Sequence, residues 1–273
     1  MQIKAKKSLG QHFLNSNKVL SQIIASAEIK KDQNILEIGP GTGVLTEELL
    51  KAGAKVIAVE KDRRAYDLLK EKYKNHIEDG RLILILGDIL TIGVNNIPDP
   101  FAIVANIPYY ITGAILEKFL EEGPRPEKMV LLVQREVAER IVAKDGRESV
   151  LSISVKAFGN PRIAAKVPRG AFVPAPKVDS AILVIDNIAG LKYYPAGIVQ
   201  ASQKQVETDN ASKFFKILKA GFAHKRKYAI SNLAIVFDQP KLENIWDKLN
   251  LDKKIRPEKI KLESWFGIAK MLD

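Results

Sequence analysis

The chain has 273 residues, 46% of them hydrophobic, which is enough for one or two full cores. It has no cysteine, which excludes disulfides and thiolate metal sites. Its three histidines are scattered, which argues against any metal centre. No run approaches the roughly 18 apolar residues of a membrane span, and the basic start leads into no apolar signal core. We therefore expect a protein of the reducing cytoplasm without membrane contact.

The net charge of +11 is unevenly distributed along the chain. The first eighteen residues contain four lysines and no acid, and the residues from Gly190 onward contain sixteen Lys/Arg against nine Asp/Glu. Clustered positive charge favours a polyanionic partner such as a nucleic acid, because each neutralised phosphate releases counterions. A soluble, lysine-rich surface is the alternative interpretation.

Short β-branched runs alternate with amphipathic stretches between residues 34 and 142. The predicted strands are Asn34–Ile38, Lys55–Glu60, Leu82–Leu86, Phe101–Ala105 and Met129–Val133. The predicted helices are Val44–Lys51, Arg64–Tyr73, Thr112–Glu121 and Arg135–Val142. Continuous apolar strands indicate a parallel sheet that is covered on both faces. The alternation therefore predicts a doubly wound, Rossmann-like α/β domain.

The alternation stops after Val142. Three further β-rich runs predict antiparallel strands that close the sheet: Val150–Ala157, Arg162–Val167 and Ser180–Ile185. From about Leu191 the sequence becomes lysine-rich with helical periodicity. We place a domain boundary near residues 188–205, where Pro195 and Gly197 punctuate the chain, which gives a first domain of residues 1–188 and a small helical, basic domain of residues 189–273.

A glycine turn follows the first strand of the predicted sheet, in the sequence Glu37-Ile38-Gly39-Pro40-Gly41-Thr42-Gly43. Glycines allow a tight turn and a close approach of the backbone to a ligand. The spacing differs from the Gly-x-Gly-x-x-Gly of dinucleotide sites and no Walker lysine follows, so NAD is the weaker of the candidate cofactors.

Acidic residues follow the next two strands. Glu60 ends the second strand, where an acid reaches a ribose diol in doubly wound folds, and Asp88 follows the third, where it could accept from an adenine amine. The simplest interpretation of these features is an ordinary glycine turn with two acidic residues on the surface. Together, however, they resemble class I methyltransferases, which implies S-adenosylmethionine as cofactor and S-adenosylhomocysteine as product.

The tetrad Asn106-Ile107-Pro108-Tyr109 follows the fourth strand. It resembles the tetrad of amine methyltransferases, whose substrates include adenine N6 and glutamine. The Asn106 side-chain oxygen and the Pro108 carbonyl could accept both N–H bonds of an amine, while the Tyr109 ring offers a stacking surface for an extruded base. A capped turn with a packed tyrosine is the non-catalytic alternative.

Four further segments resemble the ribosomal RNA adenine N6,N6-dimethyltransferase family. They are Ser8-Leu9-Gly10-Gln11-His12-Phe13-Leu14, Gln134-Arg135-Glu136-Val137-Ala138-Glu139-Arg140, Phe172-Val173-Pro174-Ala175-Pro176-Lys177-Val178-Asp179-Ser180-Ala181 and Phe222-Ala223-His224-Lys225-Arg226-Lys227. Two positions depart from the common pattern, His12 and Tyr110, where many members have Asn.

The resemblance implies roles for individual residues. His12 and Leu14 would contact the cofactor together with Gly39, Gly41, Glu60, Asp88 and Asn106. Phe172 would face Tyr109 across the target base, and Lys225, Arg226 and Lys227 would contact RNA phosphates.

The resemblance also implies a substrate. It favours dimethylation of two adjacent adenosines in a hairpin loop near the 3′ end of 16S rRNA in the immature 30S subunit, and thus a role in ribosome biogenesis. We expect a monomer. The alternatives are a 23S rRNA methyltransferase of macrolide resistance and a non-catalytic RNA-binding assembly or transcription factor on the same fold.

Overall fold

The computed structural model describes residues 3–6, 9–93, 97–191 and 201–272. Ser8 of the N-terminal motif and the join around Pro195 and Gly197 lie outside these residues. The chain divides into two compact units, Met1–Ala138 with Asn160–Ile188 and Glu139–Gly159 with Ala189–Asp273. The sequence interpretation placed residues 139–159 in the first domain, whereas in the structure they cluster with the C-terminal residues.

All strands of the described residues lie in the first unit. Up to residue 142 the elements are β1 (Phe13–Leu14), α1 (Asn17–Ala27), β2 (Asn34–Ile38), α2 (Val44–Lys51), β3 (Lys55–Glu60), α3 (Arg63–Lys72), α4 (Lys74–Glu78), β4 (Leu82–Leu86), β5 (Phe101–Asn106), a 3₁₀ helix (Tyr109–Ile111), α5 (Thr112–Leu116), a π-helical turn (Glu117–Glu122), β6 (Lys128–Gln134) and α6 (Arg135–Val142). After α7 (Val150–Phe158), which belongs to the second unit, follow β7 (Asn160–Val167), a 3₁₀ turn (Arg169–Ala171), β8 (Phe172–Val173) and β9 (Ser180–Asp186).

Seven of these strands form one sheet in the order β4-β3-β2-β5-β6-β9-β7. The first five are parallel, and β9 lies antiparallel between β6 and β7. The predicted doubly wound sheet is therefore confirmed. Its strand order reverses between β2 and β5, and in such sheets the crevice beyond the carboxyl ends of the strands is where ligands bind.

The central strands are buried on both faces, as their continuous apolar sequences predict. Leu36 of β2, Ile103 of β5 and Leu131 of β6 have no more than 1% of their surface exposed. This burial fixes the register, since Leu36 pairs with Ile57 on one side and with Ile103 on the other. The register in turn brings the carboxyl ends of β2, β3 and β5 to the same edge of the sheet.

The prediction of a strand at Val150–Ala157 is wrong, because this segment is the helix α7. Ser149 caps the helix: its hydroxyl accepts from the backbone N–H of Ser152 (3.1 Å), and the Ser152 hydroxyl accepts from the N–H of Ser149 (2.7 Å). Most of the helix is buried, so its apolar residues do not show a one-sided helical pattern. Short apolar runs of this kind do not distinguish a strand from a buried helix.

The second unit is helical. Besides α7 it contains α8 (Ala201–Gly221), α9 (Ala229–Leu233), α10 (Gln239–Lys248), a 3₁₀ turn (Pro257–Lys259) and α11 (Leu262–Met271). Trp246 and Trp265 are fully buried in it, and Phe158 stacks on Phe215 at 5.9 Å. In the described parts of the chain, no helix is long and apolar enough to span a membrane. The same residues contain no cluster of three His, Asp or Glu side chains suited to a metal ion.

Candidate active site

The glycine turn between β2 and α2 forms the floor of a cavity at the carboxyl edge of the sheet. Gly39, Gly41 and Gly43 have φ angles of +67°, +59° and +80°, a left-handed conformation that costs glycine little. A methyl group added at Gly39 would meet no atom within 4 Å, so this glycine borders open space. At Gly39 the turn therefore presents bare backbone to a ligand.

Two buried carboxyl groups support the turn from below. One oxygen of Glu60 accepts from the N–H of Gly41 (2.9 Å) and the other from the N–H of Asp62 (2.7 Å). The Thr46 hydroxyl donates to Glu37 (2.6 Å). The turn is thus tied to the end of β3, and the helix that follows it is tied to the end of β2.

Burial disfavours the charged form of both acids. It raises the pKa of Glu37 to about 8, with the Thr46 hydrogen bond opposing and the nearby Glu60 adding to the shift. Burial also raises the pKa of Glu60, against the hydrogen bonds from Asp62 and Gly41. A cationic or hydrogen-bond-donating ligand beside these groups would compensate for their lost hydration.

Asp88 lies two residues beyond the end of β4, on the rim of the same cavity. The Lys61 ammonium group contacts one of its oxygens at 2.8 Å, and the backbone N–H of Leu90 donates to the other at 3.0 Å. These contacts lower the pKa of Asp88, the Lys61 hydrogen bond most. Asp88 is therefore a stable anionic acceptor.

Asn106 is the last residue of β5, and its side-chain orientation is fixed by the N-terminal segment. Its Nδ2 donates to the main-chain oxygen of His12 at 3.2 Å. Because an amide carries its nitrogen and oxygen on opposite sides, this bond also fixes the direction of Oδ1. The Pro108 carbonyl accepts from the N–H of Ile111 at 3.2 Å and retains a second lone pair.

Tyr109 is held at both ends of its side chain. Its hydroxyl is hydrogen-bonded to that of Ser180 at 2.6 Å, and its ring stacks on His12 with centroids 6.0 Å apart and planes inclined by 20°. Burial raises the Tyr109 pKa, and the Ser180 hydrogen bond opposes the shift. The ring is thus a neutral, oriented surface.

The segment from Leu9 to Leu14 lines and covers the cavity, and several contacts fasten it to other parts of the unit. Gln11 donates to Asp62 (3.1 Å) and accepts from the N–H of Lys6 (2.8 Å). The His12 ring is hydrogen-bonded to the Pro174 carbonyl (2.7 Å), and β1 pairs with β8, with Leu14 opposite Phe172. Gln11 was noted only as part of the N-terminal motif and Asp62 was not noted, since only the fold shows that they meet.

Nine of the ten residues predicted from the sequence to act in catalysis or cofactor binding line the cavity. They are His12, Leu14, Gly39, Gly41, Glu60, Asp88, Asn106, Pro108 and Tyr109. The tenth, Phe172, has 2% of its surface exposed and belongs to the hydrophobic core. The ring that faces Tyr109 in the structure is that of His12.

The three basic residues proposed to bind RNA lie in the second unit. Lys225, Arg226 and Lys227 are exposed in a turn between α8 and α9 rather than on a helix. Asn232 holds this turn by donating to the carbonyls of Gly221 (2.7 Å) and His224 (3.2 Å).

Arg256, which no motif of the sequence marks, reinforces the same turn, because its guanidinium donates to the Lys225 carbonyl at 3.1 Å. Arg256 is exposed, as are its neighbours Lys253 and Lys254. Two basic stretches that are far apart in the sequence therefore meet on one surface. The cluster Lys253-Lys254-Ile255-Arg256 is visible in the sequence, but its contact with Lys225 is not.

The structure has the sheet order, the glycine turn after β2 and the acid at the end of β3 that the class I methyltransferase fold requires. Comparison with known proteins identifies the family. The model of the family described as ribosomal RNA adenine dimethylase matches residues 2–273, so the chain belongs to that family.

Individual relatives agree with this assignment. The chain is 41% identical to the ribosomal RNA small subunit methyltransferase A of Dehalococcoides mccartyi, over 96% of this chain and 87% of the relative. Among solved structures, a dimethyladenosine transferase from Plasmodium falciparum superposes with a TM-score of 0.74 at 26% identity, covering 94% of this chain and 96% of that one. The 23S rRNA methyltransferase ErmE gives 0.73 at 28% identity, covering 96% and 99%.

Proposed function

We propose that this protein transfers methyl groups from S-adenosylmethionine to the N6 amines of two adjacent adenosines in a hairpin loop near the 3′ end of 16S rRNA. The observation that carries the proposal is the Asn106–His12 hydrogen bond, which orients an amide beside the glycine turn. The small-subunit substrate is supported by the 41% identity to a small subunit methyltransferase.

The cavity suits a cofactor that combines a nucleoside with a positive charge. Bare backbone at Gly39 admits close approach and Gly41 lines the cavity beside it. Glu60 would accept from a ribose diol, and Asp88 would accept from an adenine amine. His12, Leu14 and Asn106 would complete the contacts. When bound, S-adenosylmethionine supplies an electrophilic methyl group on a sulfonium.

The tetrad would prepare the amine for transfer. An adenine amine is a poor nucleophile because its lone pair is delocalised into the ring. Acceptance of its two N–H bonds by Asn106 Oδ1 and the Pro108 carbonyl would bias the nitrogen towards tetrahedral geometry. The methylated ammonium product is acidic enough to lose its proton to water, so catalysis would come mainly from orientation.

The target base would stack on Tyr109. Unpaired bases in a loop cost least to extrude, which suits a hairpin substrate. Phe172 remains our second stacking candidate, but it would have to leave the core to reach the base, since 2% of it is exposed.

We assign separate roles to the two parts of the chain because positive charge is concentrated in the C-terminal part. In our proposal residues 1–188 carry out the transfer, and residues 189–273 bind rRNA phosphates through Lys225, Arg226 and Lys227 without reading sequence. We further propose a cytoplasmic monomer that acts on the immature 30S subunit.

The test is transfer of labelled methyl groups to purified particles, followed by mapping of the methylated adenosines. We expect transfer to 30S subunits from cells that lack this modification, and none to 50S subunits or free adenosine. Transfer confined to 50S subunits would replace our substrate with that of the 23S enzymes. Binding to 30S subunits without any transfer would favour the non-catalytic assembly factor.

A further inference from the structure

Tyr110 is the exposed aromatic residue at the mouth of the cavity. It lines the cavity directly after the tetrad, yet 63% of its surface is exposed, whereas Ile107 in the same turn is 2% exposed. A large ring in water gains free energy when another flat surface covers it. Its position is therefore that of a binding surface beside the reaction centre.

Hydrogen bonds hold the backbone on which the ring is carried. Tyr110 is the middle residue of the 3₁₀ helix Tyr109–Ile111. The Ile111 N–H donates to the Pro108 carbonyl (3.2 Å), and the Thr112 hydroxyl donates to the Tyr109 carbonyl (3.0 Å). The residue is fixed by the same turn that orients Tyr109.

Gly10 supports the ring from the N-terminal segment. A methyl group built on Gly10 would lie 3.2 Å from Cε1 and 3.3 Å from Cδ1 of Tyr110, so the ring packs on the glycine backbone. Gly10 has a φ of +60°, which also favours glycine. One side of the ring is thus supported while much of its surface stays open, as in a preorganised stacking platform.

The rim of the cavity beside the ring carries the ion pair of Lys61 with Asp88. Lys61 lies on the same rim, with 55% of its side chain exposed. Its pKa is raised chiefly by the hydrogen bond to Asp88, and Tyr110 makes a smaller electrostatic contribution. An exposed ring beside a lysine is the combination with which proteins bind single-stranded nucleic acid.

We propose that Tyr110 is a second base-binding site, which stacks on the nucleotide next to the adenosine that enters the cavity. The inference rests on the proposed function, because it requires an RNA strand at the mouth of the cavity. When one base is extruded towards Asn106, its neighbour is unstacked from it and needs a new partner. Tyr110 offers that partner at the point where the strand leaves the cavity.

The experiment compares Tyr110→Leu with Tyr110→Phe. Leucine keeps apolar contact with Gly10 but cannot stack, whereas phenylalanine keeps the ring. We expect the leucine variant to raise the KM for unmethylated 30S subunits by about tenfold, with little change in kcat. The phenylalanine variant should behave as the wild type, and neither should change the Kd for S-adenosylmethionine measured without RNA.

A fluorescent base gives an independent readout. For this test, a stem–loop RNA of the substrate is made with 2-aminopurine on the 5′ or the 3′ side of an adenosine that the enzyme is expected to methylate. Stacking should quench its fluorescence on one of the two sides with the wild type and Tyr110→Phe, but not with Tyr110→Leu.

Several outcomes would overturn the proposal. They are an unchanged KM and unchanged quenching in Tyr110→Leu, equal impairment in both variants, or cofactor binding weakened as much as RNA binding. The last result would make Tyr110 a packing residue of the N-terminal segment. A wild-type protein that methylates no small-subunit RNA would refute the proposed function as well, whereas normal wild-type transfer with these outcomes would refute the stacking site alone.

Discussion

The side-chain nitrogen of Asn106 donates a hydrogen bond to the main-chain oxygen of His12, and this 3.2 Å contact joins the end of β5 to the segment that covers the cavity. The contact has two effects. It selects one orientation of an amide that could otherwise rotate, and it makes that orientation depend on the position of residues 9–14. The orientation of the reaction centre therefore depends on the segment that covers the cavity.

Replacing Asn106 should abolish turnover but not folding. In Asn106→Ala the acceptor and the link to His12 are both lost, so we expect kcat to fall by about a hundredfold or more. The circular dichroism spectrum should be retained, since Asn106 ends a strand whose core residues are unchanged. Asn75→Ala, at an exposed position of α4, is the control. Full activity of Asn106→Ala would show that the reaction centre lies elsewhere.

The raised pKa of Glu37 should make stability depend on pH. Its folded-state pKa of about 8 exceeds the ordinary value of 4.5, so the folded protein holds a proton that the unfolded chain releases. The resulting stabilisation is complete below about pH 4.5 and is lost as the pH rises through 8. Glu37→Gln cannot ionise, so its melting temperature should rise relative to the wild type between pH 6 and pH 9.

Thermal unfolding across this range measures the difference. Glu71→Gln, at an exposed position of α3, should follow the wild-type profile throughout. Parallel profiles for Glu37→Gln and the wild type would mean that Glu37 is ionised in the folded protein.

Asp62 should act in the opposite sense. The Arg64 hydrogen bond, with further contributions from Gln11, lowers its pKa from 3.8 to about 2. A lowered pKa stabilises the protein above the unfolded value and loses this effect as the pH falls through the folded value. Asp62→Asn should therefore be less stable than the wild type at pH 7, and this gap should narrow between pH 4 and pH 2.

Urea unfolding at pH 7, 4 and 3 tests the Asp62 effect. Asp67→Asn is the matched control, since Asp67 pairs with Arg63 on the exposed side of the same helix. A gap of constant size at all three pH values would contradict the role of Asp62 charge.

Neutralising the basic turn should weaken RNA binding in a salt-dependent way. Each phosphate contact contributes a slope of about −0.7 to −0.9 to log K against log salt concentration. The double variant Lys225→Gln/Arg226→Gln should thus flatten the slope by about 1.5 and weaken binding similarly for different sequences.

The matched control for the basic turn is Lys70→Gln/Lys74→Gln, which removes the same charge from exposed positions in the first unit. It should leave the salt slope close to that of the wild type. An unchanged slope in Lys225→Gln/Arg226→Gln would identify those residues as a solvated surface.

The sequence predicted the parts of the fold that local pattern determines. The buried strands from Asn34–Ile38 to Met129–Val133, the glycine turn and the position of Asn106 all follow from runs of adjacent residues. The strand predicted at Val150–Ala157 failed because a buried helix and a buried strand show similar short apolar runs.

Contacts between distant residues were beyond the reach of local pattern. Gln11 meets Asp62 across 51 positions, and Arg256 meets Lys225 across 31. The burial of Phe172 likewise depends on its pairing with Leu14. These relationships follow from the order of strands in the sheet, which no single segment encodes.

The pairing of β1 with β8 has a consequence for synthesis of the chain. Residues 13 and 14 are held by residues 172 and 173, and the His12 ring is held by the Pro174 carbonyl. During synthesis, the glycine turn and Asn106 are therefore made long before residues 172–174, which hold the N-terminal segment over the cavity. Vectorial synthesis from the ribosome thus makes closure of the cavity one of the last steps in maturation of the first unit.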